Sequence, residues 1–336
     1  MANTTIKDIA RALGLSPATV SRALQDSHEI GEATKKKVRE LANQLNYQPN
    51  PYASSLRKRK SKTIAVVLPE VADSFFSLAI NGIESVAKDK GYHVLIYLTH
   101  ESVTREEAIL SEFKSGRVDG LLISVSEETT SGTHIKKVID EGMPVVFFDR
   151  ECDDVPTTKI VTNDFESSYL ATTHLINQGC KKIVYLCISP TLSISKNMVN
   201  GFNKAIEENK LTHSGVVACD KHFDNNIELV KKLLTGKHRP DGIIASVEKL
   251  TPVVYLACKD LGLSIPAAVK LVSFTNLQTS LILNPPLTTI TQPAFKMGEK
   301  AATILFKHLD KKKAALQNET IVIASELFIR QSSANK

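Results

Sequence analysis

Ser16-Pro17-Ala18-Thr19-Val20-Ser21-Arg22-Ala23-Leu24 is the stretch on which the reading of this chain turns. Ser16 is a favourable N-cap, and Pro17 suits the first helical position because an amide there would lack a partner anyway. Val20, Ala23 and Leu24 share one face and read as core, leaving Pro17, Ala18, Thr19, Ser21 and Arg22 outside. Upstream, Thr5-Ile6-Lys7-Asp8 reads as another helix start. Thr5 would accept from the Asp8 amide while the Asp8 carboxylate reaches back. Ile6, Ile9, Ala10 and Leu13 make that helix's apolar face, and Gly14 stands where the chain must turn. A third helix, about Glu32 to Asn46, is expected to bury Val38, Leu41, Ala42 and Leu45 and to expose Lys35, Lys36, Lys37 and Arg39. Two short helices joined by a tight glycine turn and braced by a third make a helix-turn-helix.

Charge points the same way. The 336 residues carry a net charge of +6, and residues 1–62 hold 12 Lys and Arg against 5 Asp and Glu, so the excess sits in the head. A basic head on a near-neutral body marks a polyanion binder; a merely solvated basic tail is the alternative. Small and hydroxylated residues on the second helix permit close approach and bond phosphates. The Arg22 fork matches guanine O6 and N7. Beyond Tyr47, two prolines in Gln48-Pro49-Asn50-Pro51 break the third helix. The segment from Pro51 through Arg57 is too short to hold a helix alone in water and would fold on DNA beside a dimer mate.

These residues are similar to a known family. Ile6-Lys7-Asp8-Ile9-Ala10, Ser16 to Leu24, Leu45-Asn46-Tyr47-Gln48-Pro49-Asn50 and Ala53-x-x-Leu56 closely resemble the lactose-repressor (LacI/GalR) family, over nearly the whole chain. The resemblance implies that the helix opening at Ser16 enters the major groove. It implies a hinge helix in the minor groove, where Leu56 wedges between central base pairs; a capping contact of Leu56 on the body is the alternative. The expected DNA-contacting set is Thr5, Ser16, Pro17, Ala18, Thr19, Ser21, Arg22, Thr34 and Tyr47, with Asn50, Ala53 and Leu56 in the hinge.

From Thr63 short apolar runs alternate with amphipathic stretches. Strands are expected at Ile64–Leu68, Val94–Leu98, Gly120–Ser124 and Val145–Phe148, with helices near 76–90, 104–115 and 133–141. After about Val161 the alternation restarts: helix 166–178, strand Ile183–Cys187, helices 197–209 and 225–235, strand Gly242–Ala245, helix 250–262 and strand Val269–Phe274. Helix 294–309 and a last strand near 320–330 complete it. This is parallel α/β logic twice over, two doubly wound lobes that would close on a ligand at the carboxyl ends of their strands.

The resemblance makes that body periplasmic-binding-protein-like, with crossings near 161–164, 290–293 and 320. The expected division is a helix-turn-helix domain 1–47, hinge 48–62, first lobe 63–162 plus 293–320, and second lobe 163–292 plus 321–336. Phe75-Phe76, Gly82-Ile83-Glu84, Asp149-Arg150, Asn163, Gly201-Phe202 and Thr288-Thr289-Ile290-x-Gln292-Pro293 are recurring marks. Phe76 and Phe223 match ring-plate positions, although core is the ordinary fate of such residues, and Phe75 and Asn163 are expected in the effector set with them. Asp149 is placed to accept from ligand hydroxyls, with Arg150 as its alternative partner. Three positions depart from the family's pattern: Met198 for an Arg, Glu248 for an Asp or Asn, and Thr275 for an Asp. Losing an Arg fork and a carboxylate removes bidentate grip on a neutral hexose. Lys196 could serve an acidic ligand or point to solvent. The expected effector is a carbohydrate-pathway metabolite, of sugar or sugar-acid class.

Other classes fare worse. There is no Gly-x-Gly-x-x-Gly, phosphate-binding P-loop, Gly-x-Ser-x-Gly or His-Glu-x-x-His, so neither an enzyme nor a cofactor is expected. Five scattered cysteines without Cys-x-x-Cys spacing suggest cytosolic thiols. His213 and His222 read as loop surface rather than a metal site, and Glu106-Glu107 and Glu127-Glu128 as solvated faces. No apolar run approaches a membrane span, and MANTTIKDIA does not read as a secretory signal. An architectural DNA-packing protein would explain the head but not the body. Homodimerisation is expected because one head offers too few contacts for specific affinity. First lobes would pair through 76–90 and 104–115, and a tail lacking a zipper favours a dimer.

Overall fold

The computed structural model describes residues 5–47, 61–310 and 317–334, in two units that divide at Ser61 and Lys62.

In the first unit, α1 (Ile6–Leu13), α2 (Pro17–Leu24) and α3 (Glu32–Gln44) pack around Ile9, Ala10, Val20, Ala23, Val38 and Ala42. The Ser16 hydroxyl accepts from the Thr19 amide at 3.0 Å, the expected cap. At α1 the expected capping box is present, and the Asp8 carboxylate takes both the amide of Thr5 (2.9 Å) and its hydroxyl (2.7 Å). Gly14 ends α1 at φ +62°, a left-handed turn that costs glycine nothing. Asn46, at φ +48°, does the same after α3: the Tyr47 amide reaches back to the Ala42 carbonyl at 2.8 Å. That turn swings Leu45 outward, 39% exposed instead of buried. Lys35 also departs from expectation. It is buried, its ammonium held 2.8 Å from Glu32 and 3.1 Å from Asp26, so it clamps the α2–α3 turn rather than facing solvent. Both partners raise the Lys35 pKa, Glu32 the more.

The body contains two six-stranded sheets, each built on the same winding. Strands β1 (Thr63–Leu68), β2 (His93–Leu98), β3 (Gly120–Ile123), β4 (Val145–Phe148) and β5 (Lys159–Thr162) form the first, and β11 (Thr320–Ile323) joins its far edge. Their order, β11-β5-β4-β3-β1-β2, is parallel throughout. Strands β6 (Ile183–Cys187), β7 (Gly215–Ala218), β8 (Gly242–Ala245), β9 (Lys270–Phe274) and β10 (Thr288–Thr291) form the second, edged by antiparallel β12 (Glu326–Phe328). Helices α4 (Ser74–Asp89), α5 (Val103–Glu112), α6 (Thr133–Asp140) and α11 (Ala294–Asp310) accompany the first sheet. Helices α7 (Asp164–Asn177), α8 (Ser193–Glu208), α9 (Phe223–Thr235) and α10 (Leu250–Asp260) accompany the second. Central strands buried along their whole length, such as Gly120–Ile123, need helices on both faces.

The single strand expected near 320–330 is two strands in different sheets, so the third crossing lies at Ala324-Ser325 rather than 320. Strands β5, β7 and β10 were not anticipated. They are four residues each, and β7 lies at an edge with alternating burial, too short for its period to register. Glu106, expected on a solvated face, is fully buried: its carboxylate takes the Ser126 amide (2.7 Å), the Ser126 hydroxyl (2.8 Å) and Thr129 (3.0 Å), and meets His134 Nε2 at 2.7 Å. Glu127 reaches the second lobe, 3.0 Å from Lys221. Glu107, Glu128, His213 and His222 are exposed.

Candidate functional site

In the head, α2 presents Pro17, Ala18 and Arg22 to solvent with Thr19 and Ser21 half-buried beside them. Ser16 and Thr19 share a hydroxyl contact of 2.8 Å, which leaves a small, polar, close-approaching rim at the helix N-terminus. The positive end of the α2 dipole favours a phosphate there. Arg22, 58% exposed in its side chain, rests 3.2 Å from Glu29. Thr5 is exposed, and Thr34 and Tyr47 are half-buried. Asn50, Ala53 and Leu56 lie outside the described residues.

In the body, each sheet has its switch in strand order between two central strands, β1/β3 in one and β6/β8 in the other. Open α/β sheets bind ligands outside the carboxyl ends at that point. The two ends face one another across a cleft enclosing about 120 Å³. Its lining comes from the loops that leave the strands: Glu70 and Asp73 after β1, Asp149 and Arg150 after β4, Ser189 after β6, Ser246 to Lys249 after β8, and Phe274 to Asn276 at β9. Phe75, Phe76, Asp149, Met198, Glu248 and Thr275 all line this cleft.

Three expected residues are elsewhere. Lys196 is exposed on α8, one turn face away from Met198, and does not line the cleft. Phe223 opens α9 at 44% exposure, also outside the lining. Asn163 sits at a lobe crossing, where its carboxamide oxygen accepts from the Ser325 amide (2.8 Å) and the Ser167 hydroxyl (2.9 Å). It clamps two crossings together. Asn276 does the same at a third, with its amide 2.6 Å from the Gln292 carbonyl.

Glu248 answers the departure at its position. Its carboxylate crosses the cleft to accept from the Ser74 amide at 2.8 Å and from the Ser74 hydroxyl, while Thr275 donates from its own lobe at 3.2 Å. The longer side chain spans a gap that Asp would not, and the N-terminus of α4 favours its charge. Next to it Lys249 pairs with Glu70 of the first lobe. The cleft is thus tied by the chain's own side chains. Arg150 spends both its bonds on Glu101, at 2.8 and 3.0 Å, and stays 4.0 Å from Asp149, so Glu101 is its partner. Asp73 and Glu101 carried no sequence signal beyond the good N-cap that Asp73 makes, accepting from Phe75 at 2.8 Å.

Asp149 holds φ +64°, a strained backbone for a non-glycine residue. Burial pushes its carboxyl up to about 7 from 3.8, opposed by Arg150 and aided by Asp73. Asp73 rises to about 6 through burial and then Glu248. Asp164, at the β5–α7 junction, rises to about 8 through burial, against a hydrogen bond from Thr162. Both Asp149 and Asp164 keep a proton when folded at pH values where the unfolded chain has lost it. Their contribution to stability is complete below pH 3.8 and drains away as pH rises through 7 and 8. Asp149→Asn and Asp164→Asn should each flatten the fall of melting temperature between pH 5 and 8, read by scanning calorimetry; an unchanged slope would refute the buried, protonated carboxyls.

Known proteins agree with this geometry. Residues 5–50 match the family described as "Bacterial regulatory proteins, lacI family", and residues 61–331 match "Periplasmic binding proteins and sugar binding domain of LacI family". The chain is 30% identical to the HTH-type transcriptional repressor PurR of Mannheimia succiniciproducens, covering 98% of each. It is 28% identical to catabolite control protein A of Priestia megaterium, covering 98% of the chain and 99% of the relative. Among solved structures, a lac repressor dimer bound to operator and the anti-inducer ONPF shares the fold at TM-score 0.85 and 22% identity, covering 99% of this chain and 100% of that one. A LacI family transcriptional regulator from Enterococcus faecium with bound ribose gives TM-score 0.72 at 23% identity, covering 81% of this chain and 98% of that one. The helix-turn-helix head and the two-lobed body match that family along almost their full length, and the chain belongs to the LacI family of bacterial regulatory proteins.

Proposed function

We propose that this protein is a DNA-binding transcriptional repressor of the cytoplasm, which reads a near-palindromic operator as a homodimer under control of a small molecule held between its lobes. The observation that carries this reading is the pairing, in one chain, of a solvent-facing Pro17-Ala18-Arg22 surface on α2 with a cleft at two sheet switch points. Ser16, Pro17, Ala18, Thr19, Ser21 and Arg22 would enter the major groove, with Thr5, Thr34 and Tyr47 on phosphates and Asn50, Ala53 and Leu56 in the hinge. Phe75, Phe76, Asp149, Met198, Glu248 and Thr275 would face the effector. Exposed apolar side chains suit self-association: Val71, Leu95 and Ile96 on the first lobe, Leu281 and Ile282 on the second. The surface expected from sequence, 76–90 with 104–115, is a separate candidate, and its α5 stretch exposes Thr104, Arg105 and Glu107. The chain works by binding rather than catalysis. No described helix is long and apolar enough to cross a membrane.

An effector acts only through unequal affinity for two lobe arrangements. The Glu248–Ser74 and Lys249–Glu70 ties bias the free chain toward the closed one. Glu248→Ala should open the cleft, seen as a larger radius of gyration by small-angle scattering and a changed operator affinity. An unaltered profile would show that the ties hold nothing.

Selection of bound duplexes from a random DNA pool by the full-length protein tests the central reading. Enrichment of a two-fold-related sequence is expected. Binding that is salt-sensitive but without enrichment would overturn sequence-specific recognition by the unliganded protein.

A further inference from the structure

The cleft's charge balance singles out a ligand class. Five carboxylates line it, from Glu70, Asp73, Glu101, Asp149 and Glu248, against two cations, Arg150 and Lys249. Both cations are spent: Arg150 on Glu101 and Lys249 on Glu70. Glu248 is satisfied by Ser74 and Thr275. Among the described residues Asp73 makes no ion pair and Asp149 has only Arg150 Nε, at 4.0 Å, while Asp73 raises the cost of ionising Asp149. Asp149 is 92% buried by its residual exposure of 8%, and accepts one long bond, 3.5 Å, from Ser124. A second, independent group also waits in the cleft. The Ser246 hydroxyl, on the opposite lobe, is buried at 7% exposure and has no hydrogen-bond partner among the described residues. A buried polar group without a partner is costly, and a ligand that bonds it recovers that cost.

Two repelling carboxylates around one small cavity favour a positive charge between them. Phe75, Phe76 and Phe274 line the cleft, and aromatic rings attract the same charge over their faces. A bare metal ion is disfavoured, because among the described residues no three His, Cys, Asp or Glu side chains come together as ligands. Lys196, the only feature that had pointed to an acidic ligand, lies outside the lining.

Building on the cleft as the effector site, we propose that its ligand is a small polar molecule bearing a protonated amine, an aminated polyol rather than a neutral hexose or sugar acid, with Asp149 and Asp73 as counter-ions and Ser246 bonding its frame. The enclosed 120 Å³ is below the roughly 150 Å³ that holds benzene, so the ligand is small or parts the Glu248–Ser74 tie on entry.

Matched probes test this: glucosamine, glucose and glucuronate; ethanolamine, ethylene glycol and glycolate; diaminobutane, butanediol and succinate. Each is added at millimolar concentration to the full-length protein, and melting temperature and calorimetric heat are read. In at least one triad the amine should stabilise the protein while its alcohol and acid do not. Asp149→Asn should weaken that amine by about tenfold or more, the loss of one charge-assisted bond. Near pH 7 the amine should also expel up to about half a proton, seen as different heats in phosphate and HEPES, since Asp149 titrates at about 7. Asp73→Asn makes the same comparison should Asp149→Asn not fold. No amine binding in any triad, an alcohol or acid binding as well as its amine, or an amine indifferent to both variants would each overturn the proposal. An alcohol or acid whose binding is lost in Ser246→Leu would overturn the charge class and leave the effector cleft standing. The operator selection needs no probe, so the regulatory reading succeeds or fails separately.

Discussion

Gly298→Ala should destabilise the body by about 1–2 kcal/mol, although the same change in an ordinary helix stabilises it by about 1 kcal/mol. The sign reverses because α4 and α11 cross at two glycines. A Cβ on Gly298 would sit 2.0 Å from the Ala79 carbonyl oxygen, and one on Gly82 would sit 2.1 Å from that of Phe295. Both obstacles are helix backbone, which yields only if the helices separate. Separation would loosen the cluster of Ala79, Ile83, Met297, Ala301 and Leu305 between the helices and the first sheet. Overpacking costs about 1–3 kcal/mol, which exceeds the propensity gain. Gly201 repeats the arrangement in the second lobe, its absent Cβ 2.1 Å from the Phe165 carbonyl oxygen. Denaturant unfolding of Gly298→Ala and Gly201→Ala checks this. Stability equal to or above the parent's would mean that the crossings have slack.

Arg22→Ala should cost about 1–3 kcal/mol per half-site and blur preference at one base pair. The energetic argument is a comparison of partners. In the free protein Arg22 pairs with Glu29 at 3.2 Å, both side chains more than half exposed. Such a pair is worth at most about 1 kcal/mol, whereas a bidentate guanine contact discriminates by about 1–3 kcal/mol. The guanidinium should therefore leave Glu29 when DNA arrives. Glu29→Gln should tighten binding slightly without altering the selected sequence. Base-by-base binding of substituted operators separates the alternatives: a uniform loss with Arg22→Ala would assign the residue to phosphate instead of a base.

The sequence was most legible where the signal is local. The Ser16 cap, the turn at Gly14, and the strands Ile183–Cys187 and Gly242–Ala245 depend on neighbours a few residues away, and they stand where they were read. Asp149 and Glu248 were flagged from a resemblance and do line the cleft. What misled was orientation and long-range pairing. Lys35 has the composition of a surface residue and is buried by Asp26 and Glu32. Glu106 looks solvated until the loop carrying Ser126 folds over it. Phe223 and Lys196 were placed by analogy of position, but the start of α9 and the outer face of α8 turn them from the cleft. Arg150 could have chosen either of two acids, and only the turn carrying Glu101, itself left-handed at φ +64°, decides between them.

The division of the last two strands has a consequence for how the protein is made. Strands β6 to β10 and helices α7 to α10 emerge consecutively, so the second lobe can assemble almost whole as a nascent chain. The first lobe emerges earlier yet waits. Helix α11, which packs on α4, and β11, which closes the sheet against β5, are translated only after β6 to β10 of the second lobe. Contacts of such sequence separation fold late and slowly. During synthesis the first-made lobe therefore holds an open sheet edge and an uncovered α4, the state in which a chain is most prone to wrong association. The lobe that ribosomes deliver first must wait for most of the other to be made before its own last helix and strand arrive.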